Sequence, residues 1–231
     1  MQKIKDIVIA FDGHSSCGKS TVAKAVAKQL NYTFIDSGAM YRAVTFLAIK
    51  KKLISGKVIK IEKLKTELNS IDIKFVKNNI TKKQETFLND ENIEKEIRGI
   101  EVSDSVSYIS ELDFVRAKLV ALQQKMGVNK RIVMDGRDIG TVVFPNAELK
   151  FFMTASVEIR AQRRYKELTE KGDKVTFEEI RENIEKRDYI DQNREISPLK
   201  KADDAIILDN SNLSREEQLT WVMKRILDYR T

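Results

Sequence analysis

The residues best suited to chemistry lie together in one short stretch, "GHSSCGKST", from Gly13 to Thr21. Its pattern is G-x-x-x-x-G-K-[ST], preceded by an apolar run typical of a strand and followed by the apolar stripe of a helix. In such a loop the main-chain N–H groups hold phosphate oxygens, the lysine neutralises the β and γ phosphates, and the hydroxyl binds Mg²⁺. The stretch therefore predicts a nucleoside triphosphate site with Lys19 on the phosphates and Ser20 on the metal.

The only histidine and the only cysteine of the chain, His14 and Cys17, stand inside this loop. A thiol enzyme would need a base beside the thiolate and a third group that orients the base. A phosphate loop instead directs its backbone at the ligand, so we predict that both side chains are bystanders of the chemistry. The thiol is still expected to be open to modification and to be protected by bound ATP. The whole stretch is assigned to nucleotide binding: Gly13, His14, Ser15, Ser16, Cys17, Gly18, Lys19, Ser20 and Thr21.

The order of apolar runs and amphipathic stretches predicts the fold class. Strands are expected at short apolar runs in residues 7–11, 33–35, 132–134, 149–153 and 205–208. Helical patterns lie between them, which predicts an α/β/α sandwich of three layers around a five-stranded parallel sheet. One long amphipathic helix is expected from Ser103 to Met126, and a β-hairpin with its turn at "KNN" is expected within residues 71–88. Residues 158–195, of which 21 are charged, should form a mobile pair of helices.

Composition limits the class of protein. With 231 residues and 42% hydrophobic side chains, the chain can bury a core as one domain with insertions or as two small domains. No apolar run is long enough to span a bilayer, and one cysteine with one histidine excludes a disulfide and a Cys/His zinc site, so we expect a cytoplasmic protein. The net charge of +7 is concentrated in lysines of residues 50–83, where few aromatic residues interleave. A solvated lysine face is therefore favoured over a nucleic-acid patch.

Three further stretches are rich in polar groups: "DSGAMYR" (36–42), "MDGRDIGTVVFP" (134–145) and "KRDYIDQNR" (186–194). The first two follow predicted strands directly, and ligands of open α/β sheets bind at the carboxyl ends of strands. Transfer of a phosphoryl group between two phosphates concentrates negative charge, so arginines from several segments would be expected to meet there. Four arginines in these stretches have the forked donors that suit phosphate oxygens: Arg42, Arg137, Arg187 and Arg194.

These motifs resemble those of the bacterial cytidylate kinases, a family of nucleoside monophosphate kinases. The resemblance runs nearly from end to end and rests above all on "DSGAMYR" and "DGRDIGTVVFP", with "AQRR", "RDYIDQNR" and "SPLKKADDAIILD" in support. It implies a single kinase domain over residues 1–231. The implied parts of this domain are a core (1–60, 100–156 and 197–231), a β-containing insertion that binds the monophosphate (about 61–99) and a helical lid (about 157–196).

The resemblance also implies roles for single residues. Contacts with cytosine are expected from Ser37, Ser107, Arg116 and Asp138. The monophosphate should be bound by Arg42, Arg137 and Arg194, and the sugar hydroxyls by Arg187 and Asp191. The lid arginines expected to close on the transferring group are Arg160, Arg163 and Arg164. The expected catalytic residues are Lys19, Arg137 and Arg194. Asp135 stands at the end of an apolar strand, where it would either orient water on the Mg²⁺ that Ser20 holds or serve as a structural cap of the loop.

Without the resemblance, Ser107 and Arg116 have a simpler interpretation. They stand nine positions apart, which would place them on one face of the predicted long helix and off its apolar stripe. Exposure to solvent would then be expected for both side chains.

The implied reaction transfers the γ-phosphoryl group of ATP to CMP or dCMP, with Mg²⁺ as the cofactor. Cytosine has an amino donor at position 4 and an acceptor at N3, which a carboxylate such as Asp138 and a cation such as Arg116 complement, whereas uracil reverses both groups. A monomer that binds neither nucleic acid nor membrane is expected. Two alternatives stay open: a P-loop kinase of another small acceptor such as UMP, and an ATPase that binds nucleic acid.

Overall fold

A computed structural model describes residues 6–81 and 83–229 of the chain. In chain order the strands are β1 (Val8–Gly13), β2 (Thr33–Asp36), β3 (Ile54–Ser55), β4 (Val58–Ile59), β5 (Ile73–Lys77), β6 (Gln84–Leu88), β7 (Glu91–Asn92), β8 (Ile132–Gly136), β9 (Leu149–Thr154) and β10 (Ile206–Asp209). The helices are α1 (Lys19–Leu30), α2 (Ser37–Lys50), α3 (Ile61–Asn69), α4 (Ile100–Ser110), α5 (Asp113–Met126), α6 (Val157–Glu170), α7 (Phe177–Asn193) and α8 (Arg215–Asp228). Short helical turns lie at Glu96–Arg98 and Ile139–Val143.

The described residues form two compact units. The first holds the residues up to Asp36 and from Gln124 onward, and the second holds Ser37–Gln123. The first unit contains a five-stranded sheet in the order β10-β9-β1-β8-β2, in which every pairing is parallel. All five predicted strands are present in this sheet. The predicted α/β class with a five-stranded parallel sheet flanked by helices is therefore confirmed.

The central strand β1 is buried along its whole length. Its continuous apolar sequence suits a strand that has a neighbour on each side and helices packed against the sheet, because both of its faces are then removed from water. Val26 of α1 and Val222 of α8 belong to the same buried cluster as Phe11 of β1 and Phe151 of β9. The two phenylalanine rings stack with their centroids 5.0 Å apart. This packing fixes the end of β1 from which the phosphate loop leaves.

The parallel register brings the polar loops of the first unit to one edge of the sheet. Asp12 of β1 lies beside Gly136 of β8, and Asp36 of β2 lies beside Asp135 of β8. Because these strands run in the same direction, the phosphate loop after β1 and the "DGRDIG" loop after β8 leave the sheet at the same end. The sheet therefore places two of the predicted ligand-binding loops side by side.

The second unit contains helices α2 to α4, most of α5 and small antiparallel sheets. The predicted hairpin is present as β5 and β6, and β7 adds a third strand to it. The Oδ1 atom of Asn78 accepts hydrogen bonds from the main-chain N–H groups of Ile80 and Thr81, both at 2.9 Å, so the turn begins in the predicted "KNN". This unit includes all of residues 61–99, the predicted insertion.

The single long helix predicted after Ser103 is wrong. The structure has the two helices α4 and α5 instead, with a break between Ser110 and Asp113. The Ser110 hydroxyl donates to the carbonyl of Ser107 at 2.9 Å, and the Asp113 carboxylate accepts from the N–H of Phe114 at 2.6 Å. Short polar side chains of this kind compete for main-chain groups and favour helix ends. The apolar spacing continues through the break, which is why it predicted one helix.

The charged segment predicted as a pair of helices is confirmed as α6 and α7. Ser156 caps the start of α6, and Thr176 with Glu179 forms a reciprocal capping box at the start of α7. Leu168 and Ile184 are buried in a small apolar cluster that holds the two helices together. Within residues 6–81 and 83–229, neither these helices nor any other is long and apolar enough to cross a membrane.

Gly13 lies where β1 passes into the phosphate loop, and it has no room for a side chain. Its φ is +142°, and a Cβ would lie 1.9 Å from the carbonyl oxygen of Met153 in β9. We expect Gly13→Ala to lower the free energy of unfolding by at least about 3 kcal/mol, because the backbone of one strand must move. Thermal unfolding measures this as a fall in Tm of roughly 6 °C or more.

Gly56→Ala is the matched control for this variant. Gly56 also has a positive φ, +56°, but its Cβ would meet no atom within 4 Å. Only backbone strain of about 1 kcal/mol should therefore appear. Equal Tm shifts in the two variants would contradict the close approach at Gly13.

Candidate active site

The phosphate loop joins the end of β1 to the start of α1. Gly13, Ser16 and Gly18 have positive φ angles of 142°, 60° and 91°. Left-handed residues that alternate with ordinary ones turn successive main-chain N–H groups toward one point, which creates a concave anion site. The N–H groups of Thr21 and Val22 bond back to the Gly18 carbonyl, so α1 begins directly at the loop with the positive end of its dipole there.

Lys19 is buried at the start of α1, and its side chain turns back over the loop. Its Nζ donates to the carbonyl oxygen of His14 at 2.6 Å and lies 3.6 Å from Cys17 Sγ. Burial lowers the pKa of Lys19, and the charge of Arg137 lowers it further, while the carboxylate of Asp135 acts in the opposite direction. A phosphate oxygen would be a stronger partner for this ammonium group than the neutral carbonyl that it contacts.

Ser20 and Asp135 supply the oxygens suited to a metal ion. The Ser20 hydroxyl donates to Asp135 Oδ2 at 2.5 Å, which joins the start of α1 to β8. No group of three or more His, Cys, Asp or Glu side chains suited to a metal is present among the described residues. Mg²⁺ differs from metals that need such a cage, because it keeps several waters and takes few protein oxygens besides those of phosphates. One hydroxyl and one carboxylate beside a phosphate loop fit that ion.

His14 and Cys17 lie in separate surroundings, and their role as bystanders of the chemistry stays a prediction. His14 Nε2 lies 3.0 Å from Gln192 Nε2 of α7, and the imidazole packs edge-on against Phe152. Burial lowers the pKa of His14, so the ring is neutral near pH 7. The Cys17 side chain has no exposed surface and lies in the apolar cluster beneath α1. The expectation of an accessible thiol is therefore wrong, because the loop turns this side chain into the core.

A buried asparagine that the sequence did not single out supports the phosphate loop. The Nδ2 of Asn210, directly after β10, donates to the Cys17 carbonyl at 2.6 Å and to Gln218 Oε1 at 2.8 Å. Arg163 of α6 donates to the side-chain and main-chain oxygens of Asn210 at 3.0 and 2.8 Å. The predicted lid residue Arg163 thus contacts the network that holds the loop. The available signal for Asn210 was its place at the end of a strand.

Arg160, another predicted lid residue, is buried between α6, α7 and the phosphate loop. Its guanidinium pairs with Asp188 of α7 at 2.6 Å and donates to the main-chain oxygen of Ser15 at 3.4 Å. Arg164 is more exposed and pairs with Glu167 at 3.1 Å. The three predicted lid arginines therefore have different settings, and two of them contact the phosphate loop or the asparagine that supports it.

Four of the predicted acceptor residues converge in the first unit: Arg137, Arg187, Asp191 and Arg194. The Asp191 carboxylate accepts from Arg137 Nε at 2.8 Å and lies 3.7 Å from Arg194 Nη1. Burial acts to raise the pKa of Asp191, but the charges of Arg137, Arg187 and Arg194 outweigh burial and hold this pKa below its ordinary value. Asp191 is therefore an anion near neutral pH, and it holds the guanidinium groups together.

Asp138, the predicted cytosine contact of the first unit, is buried in the loop after β8. The loop is held by Asp12, a residue that the sequence analysis did not single out. The Asp12 carboxylate accepts from the N–H groups of Ile139 at 2.8 Å and Gly140 at 2.7 Å. The feature of the sequence that could have identified Asp12 is a single carboxylate at the end of an otherwise apolar strand.

The remaining predicted acceptor residues lie in the second unit: Ser37, Arg42, Ser107 and Arg116. Ser37 is buried at the start of α2, and Arg42 is half-buried on the same helix. Ser107 and Arg116 are only 5% and 3% exposed, so the simpler expectation of exposure is wrong for both. Arg116 lies over the ring of Tyr41, 5.4 Å from its centroid, and donates to the carbonyl of Ser110 at 3.1 Å. The break between α4 and α5, and not a shared helix face, brings this arginine to the end of α4.

Comparison with known families matches residues 9–228 to the family described as cytidylate kinase. The chain belongs to this family. A relative from Parabacteroides distasonis named cytidylate kinase is 58% identical over 222 residues, which cover 96% of this chain and 97% of the relative. A cytidylate kinase from Flavobacterium johnsoniae is 55% identical over 225 residues, which cover 97% and 98% of the two chains. The protein is therefore a kinase.

A solved structure of a different kinase has a similar fold. The gluconokinase from Sinorhizobium meliloti 1021 aligns with a TM-score of 0.51 at 11% identity, over 98% of this chain and 94% of that chain. At this identity the likeness concerns the fold alone.

The burial of Cys17 predicts its reactivity. We expect a thiol reagent such as dithiobis(nitrobenzoate) to label the native protein at least about a hundredfold more slowly than the unfolded protein, because reaction requires local opening. Cys17→Ala, which removes the only cysteine, gives the background rate. Rapid labelling of the native protein that ATP suppresses would contradict the buried position.

Proposed function

We propose that this kinase transfers the γ-phosphoryl group of ATP to CMP and dCMP, giving CDP and dCDP. The observation that carries the proposal is the arginine cluster around Asp191, which lies in the same unit as the phosphate loop of a cytidylate kinase family member. Transfer between two phosphates needs a cationic site for the acceptor in addition to the triphosphate loop. Relatives at 58% and 55% identity carry the name cytidylate kinase.

The triphosphate is held by the loop from Gly13 to Thr21. Main-chain N–H groups and the start of α1 bind its oxygens, and Lys19 exchanges the His14 carbonyl for the β and γ phosphates. Mg²⁺ would be held by Ser20, with Asp135 orienting its water ligands, and it would neutralise charge on the β and γ phosphate oxygens. The 2.5 Å contact between Ser20 and Asp135 places both oxygens beside the loop and supports this assignment.

The acceptor phosphate is bound by Arg137, Arg194 and Arg42. In the first unit two of these guanidinium groups already surround one carboxylate, that of Asp191, so they are oriented toward a common anion. A phosphate dianion offers more oxygens than the carboxylate and suits forked donors. Asp191 and Arg187 then hydrogen-bond the sugar hydroxyls.

The base is recognised by Ser37, Ser107, Arg116 and Asp138. The carboxylate of Asp138 accepts from the 4-amino group of cytosine, and Arg116 donates to the ring acceptors. Both side chains are buried, and Arg116 is held by Tyr41 and by the carbonyl of Ser110. Uracil would present an acceptor to a carboxylate and a donor to a cation, and this mismatch with two buried side chains is the basis for discrimination.

The transfer itself is a substitution at phosphorus. An oxygen of the CMP phosphate forms a bond to the γ-phosphorus while the bond to the β,γ-bridging oxygen breaks, and the electron pair of that bond leaves on ADP. The attacking oxygen is already anionic near neutral pH, so alignment and charge neutralisation by Lys19, Arg137 and Arg194 suffice without a general base.

Closure by a lid at residues 157–196 excludes water as a competing acceptor. Arg160 and Arg163 contact the phosphate loop and its supporting asparagine, which favours a role in positioning the loop as the lid closes. Arg164 pairs with Glu167 at 3.1 Å, and an ion pair of this partly exposed kind has a small net energy, so it can be exchanged for the transferring group. The insertion at about 61–99 is assigned to monophosphate binding.

The substrate range tests the proposal most directly. In a coupled assay of ADP release we expect activity with CMP and dCMP, and a kcat/KM for UMP or AMP lower by on the order of 10²- to 10⁴-fold, because the buried partners of cytosine would be unpaired. A preference for UMP would indicate a kinase of another acceptor. Release of ADP that depends on RNA or DNA and not on CMP would indicate a nucleic-acid-binding ATPase.

Lys19→Ala should lower kcat by at least about a hundredfold without loss of the fold, because the charge that stabilises the transferring phosphoryl group is removed. Lys28→Ala is the matched control, since Lys28 is exposed in the last turn of the same helix. Rates of ADP release and circular dichroism spectra of both variants provide the comparison. Full activity of Lys19→Ala would contradict the role assigned to this residue.

A further inference from the structure

Asp12 is a buried carboxylate that neither the phosphate loop nor the predicted acceptor residues include. It is the residue before Gly13 in β1, with 5% of its surface exposed. Burial of an ionisable side chain is unfavourable unless hydrogen bonds or opposite charges compensate for lost water. The partners of Asp12 therefore indicate what the residue is there to hold.

Both oxygens of Asp12 bind main-chain groups of the loop after β8. Oδ1 accepts from the N–H of Ile139 at 2.8 Å, and Oδ2 accepts from the N–H of Gly140 at 2.7 Å. These N–H groups open the helical turn Ile139–Val143, whose later N–H groups bond to the carbonyls of Asp138 and Ile139. The first N–H groups of such a turn have no acceptor within it. A carboxylate from another strand fills that place.

The same residue anchors the other end of this loop. In the sheet, Asp12 lies beside Gly136, the last residue of β8. Arg137 and Asp138 therefore lie between two points that are both fixed to Asp12, one through strand pairing and one through its side chain. Two residues held in this way have little freedom to change their backbone position.

Gly140 is shaped to let the carboxylate approach. A Cβ at this position would lie 3.3 Å from Asp12 Oδ2 and 3.0 Å from Cδ of Lys150. The ammonium group of Lys150 is directed away, to the carbonyl of Pro145 and the carboxylate of Asp204. The last glycine of "DGRDIG", Gly140, therefore leaves space that a larger side chain would take from Asp12 and Lys150.

We propose that Asp12 is a positioning residue for the acceptor, because it holds the loop that presents Arg137 and Asp138 in register with the phosphate loop. The inference rests on the proposed function for the roles of Arg137 and Asp138, but the link between β1 and the loop stands independently of the substrate. Gly13, the next residue along β1, begins the phosphate loop. One strand end therefore sets the position of both reacting partners.

The charge of Asp12 adds a dependence on pH. Burial raises the pKa of Asp12 from 3.8 to about 7; the two N–H groups and Lys19 act against burial, and the charge of Asp138 adds to it. Because the pKa is raised in the folded protein, the contribution of Asp12 to stability is present below about pH 4 and is lost as the pH rises through about 7. The carboxylate form, which accepts both hydrogen bonds, prevails above about pH 7. Protonation turns one acceptor into a donor and weakens the link.

Hydrogen exchange tests the link itself without any substrate. In Asp12→Asn the Ile139 and Gly140 amides should exchange on the order of tenfold to a hundredfold faster than in the wild-type protein, because one acceptor oxygen is lost. Asp6→Asn is the matched control: Asp6 precedes the same strand and pairs at 3.1 Å with Arg131, so its loss should leave these two amides unchanged. Fast exchange of both amides in the wild-type protein, or equal exchange in Asp12→Asn, would overturn the proposal.

Kinetics separate a positioning role from a merely structural one. Asp12→Asn should raise the KM for CMP by about tenfold or more and change the KM for ATP by less than about threefold. Gly140→Ala keeps the carboxylate but obstructs its approach, so it should raise the KM for CMP in the same way. The control variant Asp6→Asn still contains the Asp12 carboxylate, whereas Asp12→Asn does not. Between about pH 6 and about pH 8 the KM for CMP should therefore fall more steeply with rising pH in Asp6→Asn than in Asp12→Asn.

The alternative outcomes are distinct. A lower Tm with both KM values unchanged, or equal rises in the KM for CMP and for ATP, would overturn the positioning role. Absence of CMP phosphorylation by the wild-type protein would instead reject the proposed function, and hydrogen exchange would still decide whether Asp12 holds the loop.

Discussion

The parallel pairing of β1 with β8 is the interaction on which the site of the first unit depends. Its register sets Asp12 beside Gly136 and Phe11 beside Asp135, so the loop that binds a triphosphate and the loop that carries Arg137 leave the sheet at one end. A shift by one residue would turn Asp135 away from Ser20 and would place apolar side chains where carboxylates stand. The continuous burial of β1 and β8 resists such a shift, because both strands would lose their packing.

Several buried charged side chains among the described residues already have polar partners in the structure. The ammonium group of Lys19 contacts a carbonyl oxygen, and two guanidinium groups surround the Asp191 carboxylate. Both arrangements keep these cations oriented, which would reduce the reorganisation that the proposed binding of phosphate groups requires. Arg160 is held in the same way between α6, α7 and the phosphate loop, by the Asp188 carboxylate and by main-chain oxygens. The fold thus orients charge before any substrate arrives.

Local sequence patterns predicted the helices and strands well where the apolar spacing and the polar residues indicated the same element. The five strands, the phosphate loop, the hairpin and the pair of charged helices are all present. The prediction of one helix after Ser103 was wrong because Ser110 and Asp113 bind main-chain groups while the apolar spacing continues past them. The prediction of an accessible Cys17 was wrong because membership of a ligand-binding loop does not say to which side a residue points.

The sequence by itself determined the chemistry available to this protein: the glycines, lysine and serine of the loop and the arginines of three polar stretches are written in its residue types and spacing. Only the tertiary structure decided how these groups are held. Asp12 reaches the N–H groups of Ile139 and Gly140, and Asn210 reaches the carbonyl of Cys17, across more than a hundred positions of chain. Such contacts depend on strand order and register, which follow from burial of the whole core and leave no local pattern in the sequence.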